Sequence, residues 1–322
     1  MHRTHSFLTL RMFAVAILAV TAAAPSRAQF GQTIDSKGAK LDKEMVQQYE
    51  IGVEVTAEGG PCSGIVATTP MPIDWPEQRV RVMKDDVSPF VRGVTYRTVG
   101  GTVKQMIINI PQIPAGETVR AVVTLEISRH SLLPPEATSG YVIPKKLDKD
   151  TRPFLGPSPK IESRHPKIKS LAKEITAEKK GAWEKVEAIY DWVRDNVKYE
   201  NGPLKGAMAA LKDKTGDCEE LTSLFIALCR ASDIPARTVW VPGHCYPEFY
   251  LEDDAGKGHW FPCQAAGSRA FGGIPEQKPI LQKGDNFSVP ETREKQRYLA
   301  ENLTGKGGQP KVKFIRKQVA KD

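Results

Sequence analysis

The sequence predicts an α+β protein: an antiparallel β-sandwich-like domain followed by a mixed unit of helices and strands. Three observations carry this reading. Between about residues 48 and 130, apolar and polar residues alternate with period two, in short runs separated by Gly, Pro and Asp. Several such runs in series read as an antiparallel sandwich. Beyond residue 163 the apolar spacing becomes helical, and strand-like runs return from Thr238, an order that belongs to a separate α+β unit. The chain has 322 residues, 40% apolar and 26% charged, which is enough to give both parts folded cores.

Residues 1–11 carry positive charge and no acid, residues 12–24 (MFAVAILAVTAAA) are apolar, and Ser26 and Ala28 are small residues flanking Arg27. This is the three-part pattern of a secretory signal peptide over residues 1–28. The apolar run is too short for an ordinary membrane span, and the alternative for the same segment is an uncleaved tether. Cleavage would remove three arginines and no acid, taking the formal charge from +8 to +5. No later segment is apolar enough to span a bilayer, so the expected location is periplasmic or secreted, with no integral membrane domain after signal removal. Residues 29–44 read as a polar leader, with a helical start near Lys43–Tyr49.

The β domain is placed at 45–130. Its strand-like runs include Ile51–Val55, Gln78–Val82, Val91–Val99, Val103–Ile110 and Val119–Ile127, with Gly100-Gly101 among the turn signals. Residues 131–163, rich in Pro and Lys, read as a linker. The second domain covers 164–290. One helix is expected within Ile161–Lys179, and another within Ala182–Val197, where Trp183, Val186, Tyr190 and Val193 recur at helical spacing. Residues 291–322 read as a basic C-terminal extension: a short helix, a Gly-rich break at Gly305–Gly308, and a strand-like run at Lys311–Lys317.

The chain is basic, with a pI of about 9.1, but the signs are interleaved and no Lys/Arg block alternates with aromatics. Nucleic acid is therefore not an expected partner. No phosphate loop, dinucleotide fingerprint or calcium loop occurs, so no cofactor is expected. His244, His259, Cys245 and Cys263 fit no common zinc spacing, so no metal is expected either. All five cysteines (Cys62, Cys218, Cys229, Cys245, Cys263) lie after the signal segment. An odd number leaves at least one thiol free or paired between molecules.

The stretch richest in chemistry is Lys214–Arg230. Leu221, Leu224, Phe225 and Leu228 define a helix with one buried face, and Asp217 and Glu220 stand in a capping-box relation. Cys218 is then the first helical residue, where unpaired N–H groups and the positive end of the dipole favour its thiolate. A thiolate nucleophile needs a base. Downstream, His244–Leu251 and His259–Gln264 form two strand-like runs around an Asp/Gly tip. A register in which facing residue numbers sum to 508 sets Gln264 opposite His244, and Leu251 opposite Lys257. Gln264 would then accept a hydrogen bond from one ring nitrogen and leave the other for Cys218. The same register sets Cys245 opposite Cys263, as a cross-strand disulfide or as two buried free thiols. Trp240 and Tyr199 are further candidates for the cleft, as lining or oxyanion donors, and both also suit core packing.

These residues stand in a recognisable order. Ala182–Tyr199 (AWEKVEAIYDWVRDNVKY), Gly206–Cys218 (GAMAALKDKTGDC), Arg230–Val239 (RASDIPARTV), the strand His244-Cys-Tyr-Pro-Glu-Phe-Tyr-Leu251 and Trp260-Phe-Pro262 together resemble the transglutaminase-like core of the papain-type cysteine enzymes. The resemblance covers about a quarter of the chain. It implies a papain-like α+β core and a catalytic triad of Cys218 as nucleophile, His244 as base and Gln264 as orienting residue. It also implies a hydrolase or acyltransferase that acts on a protein or peptide substrate through a thioacyl intermediate. The departure is at the third position, where the family usually carries Asp and this chain has Gln264 followed by Ala265-Ala266. A neutral amide can hold the imidazole tautomer, as Asn does in papain-like enzymes, but offers no negative charge. A non-catalytic protein that binds a peptide or cell-envelope partner on the same fold is the alternative.

Overall fold

A computed structural model describes residues 37–320. The signal segment lies outside the described residues. The period-two runs form six strands: β1 (Lys40–Ala57), β2 (Cys62–Met71), β3 (Gln78–Val87), β4 (Gly93–Val99), β5 (Val103–Ile113) and β6 (Thr118–Leu133). Alternation decides which face is covered. In β1, Ile51, Val53, Val55 and Ala57 are fully buried, and they meet Ile65 of β2, Met106, Ile108 and Ile110 of β5, and Leu125 and Ile127 of β6 in one core. Gly100 and Gly101, both with positive φ, supply the two successive left-handed residues that a tight hairpin between β4 and β5 requires.

Two sequence expectations at the ends of this domain are corrected. Lys43–Tyr49 is not helical: it belongs to β1, with Glu44–Tyr49 paired to β6. Residues 291–301 form turns and bends in place of a short helix. Their backbone is committed elsewhere, with Phe287 and Gln296 exchanging N–H···O bonds of 2.8 Å in both directions and Leu299 buried against Val99, Val103 and Phe287. The basic run beyond them is a strand that closes the sandwich.

The second half contains α1 (Pro166–Thr176), α2 (Ala182–Asn196), β7 (Lys198–Tyr199), α3 (Ala207–Asp213), β8 (Thr215–Gly216), α4 (Cys218–Ala231), β9 (Ala236–Val241), β10 (His244–Glu252), β11 (Gly258–Pro262) and β12 (Gln282–Lys283); β13 (Asn302–Gly307) and β14 (Pro310–Val319) follow. β14 adds to the outside of β1 and β13 to the outside of β2, giving two four-stranded antiparallel sheets, β14-β1-β6-β3 and β13-β2-β5-β4. A third antiparallel sheet, β11-β10-β9-β12, supports the helical half.

Helix α4 is its centre. The sequence predicts one buried face, yet every residue from Glu220 to Arg230 is buried. The sheet covers one side, while α1, α2 and α3 cover the others. The stretch 134–163 also lies against this core, with Tyr141 and Ile161 buried in it and Val142 bridged to Glu252.

Polar contacts join the two halves. Lys283 is almost wholly buried, with Nζ 2.7 Å from the Glu77 carboxylate of the sandwich side and 2.6 Å from the Glu248 carboxylate of β10. Arg237 holds Glu248 at 2.9 Å, and the fully buried Arg129 of β6 reaches the Tyr246 hydroxyl at 3.2 Å. Among the described residues, no helix is long and apolar enough to cross a membrane.

Candidate active site

The start of α4 is built by Asp217 and Glu220. The Asp217 carboxylate accepts the Glu219 N–H at 2.7 Å, and the Glu220 carboxylate reaches back to the Asp217 N–H at 3.3 Å, the reciprocal cap foreseen from spacing. Glu220 also accepts the N–H groups of Lys205 (2.7 Å) and Gly206 (3.3 Å). Gly216 makes room for this: a Cβ there would lie 2.3 Å from the Cβ of Glu220. The cap therefore fixes both the helix start and the loop before α3.

Cys218, half-buried, begins that helix. Its thiol pKa is pulled down to about 4. The largest contribution is a hydrogen bond from the Cys245 thiol; burial opposes it, and the His244 ring and the Cys245 N–H add to the lowering. Cys245 is buried and its own pKa pushed far up, so it remains a thiol and serves as donor.

His244 opens β10, with Nε2 3.1 Å from Oε1 of Gln264. That leaves Nδ1 for Cys218. Burial alone would lower the pKa of His244. Hydrogen bonds to Cys218 and Gln264, with the negative charges of the thiolate and Glu276, outweigh burial and raise it. Gln264 is itself clamped. Its N–H donates to the Ala270 carbonyl at 2.8 Å, and its carbonyl accepts the Tyr190 hydroxyl and Arg194 Nη1, both at 2.9 Å. Cys218, His244 and Gln264 therefore come together as a thiolate, a raised imidazole and a neutral acceptor.

The hairpin register is not the expected one. Glu248 pairs with Pro262 and Leu251 with His259, so facing residue numbers sum to 510. The tip explains the shift: the Asp253 carboxylate accepts the N–H groups of Ala255 and Lys257, each at 2.9 Å, and its own N–H donates to the Lys257 carbonyl. This tightens a turn that begins one residue later on each strand. A shift of two in the sum moves each partner two places along, preserving the face, and Gln264 reaches His244 from just beyond the end of the ladder. The shift separates Cys245 from Cys263. All five cysteines are free thiols; Thr222 Oγ1 lies 3.8 Å from Cys245 Sγ, and Cys263 Sγ lies 3.9 Å from the Pro247 carbonyl.

Trp240 is buried and donates its indole N–H to the Gly284 carbonyl at 2.8 Å, so that donor is already engaged. Tyr199 is 50% exposed rather than packed in the core; burial first, then the charges of Cys218 and Asp217, raise its phenol pKa. His259 pairs with Asp253 at 2.9 Å in the hairpin tip, seven residues of strand from the level of His244, or about 23 Å. Sequence reasoning missed Cys245 as a neighbour of Cys218, and also Arg297, which binds Glu219 at 3.2 Å and lies over the Trp240 ring at 5.2 Å. The one sequence signal for Cys245 was its place directly after His244.

Residues 169–265 match the sequence profile of the Transglutaminase-like superfamily. No curated protein matches the chain in sequence. Among solved structures, the chain is similar to a candidate cysteine protease from Cytophaga hutchinsonii, with 19% identity, 87% of this chain and 93% of that chain covered, and a TM-score of 0.56; at that identity the likeness is one of fold. Two further matches are a candidate protease from Parabacteroides distasonis (17% identity, 68% and 43% covered, TM-score 0.28) and the periplasmic domain of TgpA from Pseudomonas aeruginosa, bound to ethylmercury (15%, 67% and 89%, TM-score 0.32).

Proposed function

Taking residues 169–265 as the transglutaminase-like domain that the chain carries, we propose that the protein is a thiol enzyme acting on peptide or carboxamide bonds through a thioacyl intermediate. The observation that carries this is His244, whose Nε2 lies 3.1 Å from Oε1 of Gln264 and whose pKa is raised, against burial, by Cys218 and Gln264. In the first step the Cys218 thiolate attacks the carbonyl carbon. Protonated His244 gives its Nδ1 proton to the departing amine, and the acyl group remains on sulfur. In the second step His244 takes a proton from water or from an acceptor amine, which attacks the thioester. Water yields hydrolysis, and an amine yields transamidation. The Gln264 amide keeps the ring in the tautomer and orientation both steps need.

The neutral third residue supports a second reading, a protein that binds a peptide or cell-envelope partner in the same cleft without turnover. Iodoacetamide labelling of Cys218 across pH, with His244→Ala as control, separates the two. An enzyme-like site gives fast labelling in weakly acidic buffer that the substitution slows sharply. Labelling with the midpoint of an ordinary thiol, indifferent to His244→Ala, would defeat the enzymatic reading. The signal-like residues 1–28 lead us to place the protein outside the cytoplasm, periplasmic or secreted. The exported chain is then expected to begin at Gln29 by intact mass, and a chain retaining Met1 would refute cleavage.

A further inference from the structure

Cys245 takes no part in the acyl-transfer steps, yet its side chain lies against the helix that the nucleophile begins. It is the second residue of β10, immediately after His244, and its sulfur faces Thr222 near the start of α4. Thr222 Oγ1 stands 3.8 Å from that sulfur, and Thr222 is four residues beyond Cys218 on α4, one turn along the same helix face, which sets the Cys245 thiol beside the nucleophile; the depressed Cys218 pKa agrees with a Cys245 thiol next to it. Accessibility is divided unequally among the thiols. Cys62, Cys229, Cys245 and Cys263 are each at most 1% exposed, whereas Cys218 is half-buried. A small oxidant in solvent therefore meets Cys218 first, and Cys218 is also the thiolate, the form that oxidants attack.

We propose that Cys245 is a resolving thiol: after a peroxide oxidises Cys218, Cys245 closes a Cys218–Cys245 disulfide that shelters the nucleophile in a form a thiol reductant restores. This rests on the reading of Cys218 as an activated thiolate. The steps balance. The Cys218 thiolate attacks one peroxide oxygen, the O–O bond breaks, and a sulfenic acid and hydroxide form. The Cys245 sulfur then attacks the Cys218 sulfur, the S–O bond breaks, and the hydroxyl departs with the Cys245 proton as water. Two thiol sulfurs have lost two electrons and one peroxide has gained them. The other cysteines are poor competitors. Cys229 lies three turns along α4, and Cys263 is directed to the Pro247 carbonyl. Burial of Cys245 keeps peroxide from it directly, which fixes the order of events. Without it, the sulfenic acid would pass to sulfinic and sulfonic acids, which thiols do not reverse.

The full chain is treated with hydrogen peroxide, in parallel with Cys245→Ser, and followed by intact mass, peptide mapping and iodoacetamide labelling of Cys218 before and after dithiothreitol. The wild-type protein is expected to lose two hydrogens, to yield one linked peptide pair joining Cys218 to Cys245, and to recover its labelling completely with reductant. Cys245→Ser is expected to gain two or three oxygens on Cys218 and to lose its labelling permanently. The wild-type linkage map stands even if the variant fails to fold. Fast labelling of untreated Cys218, together with oxidation to sulfinic acid and no linked pair, would overturn this inference alone. Labelling at the rate of an ordinary thiol would overturn the thiolate reading and this inference with it.

Discussion

At Cys218 and His244 the two pKa displacements have opposite senses and define a window. The thiol sits at about 4, well below its ordinary 9.0, so the thiolate is present above about pH 4. His244 is raised above its ordinary 6.5, so its proton is kept through that value and lost only at higher pH. The ion pair exists between these limits. In the labelling experiment the wild-type rate should therefore climb through about pH 4 and level off in weakly acidic buffer. His244→Ala removes one of the donors to the thiolate and should displace the climb upward. Gln264→Ala should act in the same direction but less, because a hydrogen bond worth about 1 kcal/mol changes a population roughly fivefold. An unchanged midpoint in both variants would show that neither group supports the thiolate. These three residues could be found in the sequence because their signals are local: a cap pattern before Cys218, a strand opening at His244, and an acceptor near the end of the returning strand. Cys245 could not be found that way. Its contact with Cys218 depends on how the sheet docks against α4, which joins residues 27 positions apart and has no periodic signature.

Among the elements, α4 carries the site and Glu220 is its anchor. One carboxylate accepts three backbone N–H groups, from Lys205, Gly206 and Asp217, in a side chain that is 1% exposed. Glu220→Ala would leave donors without partners in a buried place, and each such donor costs about 1–3 kcal/mol. The variant should lose at least about 2 kcal/mol by urea unfolding, while Glu220→Gln, which keeps one acceptor oxygen and the shape, should lose about half as much. A Glu220→Ala midpoint equal to wild type would show that water replaces the carboxylate freely. The cap was legible because Asp217 and Glu220 have the right spacing. Its second task, holding the loop before α3, was not, since residues 205 and 206 announce nothing about their acceptor. The same division runs through the strands. Period two identified β1 and β6, because one face of each is buried. It did not identify the hairpin register, which the Asp253 turn sets through hydrogen bonds within the tip. The helical reading failed at 43–49 and 291–301, where pairing with β6 and the Phe287–Gln296 bonds override local propensity.

Across the whole molecule, Lys283 is the charge on which the two halves meet. It comes from the short edge strand of the core sheet and is shared between Glu77 and Glu248, with its side chain about 3% exposed. Burial would push the Glu77 carboxyl up, but the charges of Lys283 and Arg129 outweigh it and hold the pKa at about 2, below the ordinary 4.5. A carboxylate held below its unfolded value contributes stability that is complete above about pH 4.5 and is lost as pH falls toward 2. Removing the lysine reverses the situation: Lys283→Met leaves Glu77 buried with only Arg129 to answer its charge, and Glu248 with Arg237 alone. Breaking a buried pair from one side costs about 3–5 kcal/mol, and the loss should be greatest near neutral pH, where the Glu77 carboxyl is ionised. Below its ordinary 4.5 the Glu77 carboxyl, no longer held down by the lysine, can protonate, and the gap between variant and wild type should narrow. Adding Glu77→Gln to Lys283→Met removes the orphaned charge and should recover part of the loss at pH 7. Urea unfolding at several pH values checks all three expectations. A loss from Lys283→Met that is the same at pH 4 and pH 7, and untouched by Glu77→Gln, would mean that Lys283 matters for its packing against Trp75, whose ring centre lies 4.8 Å from its ammonium, and not for its charge.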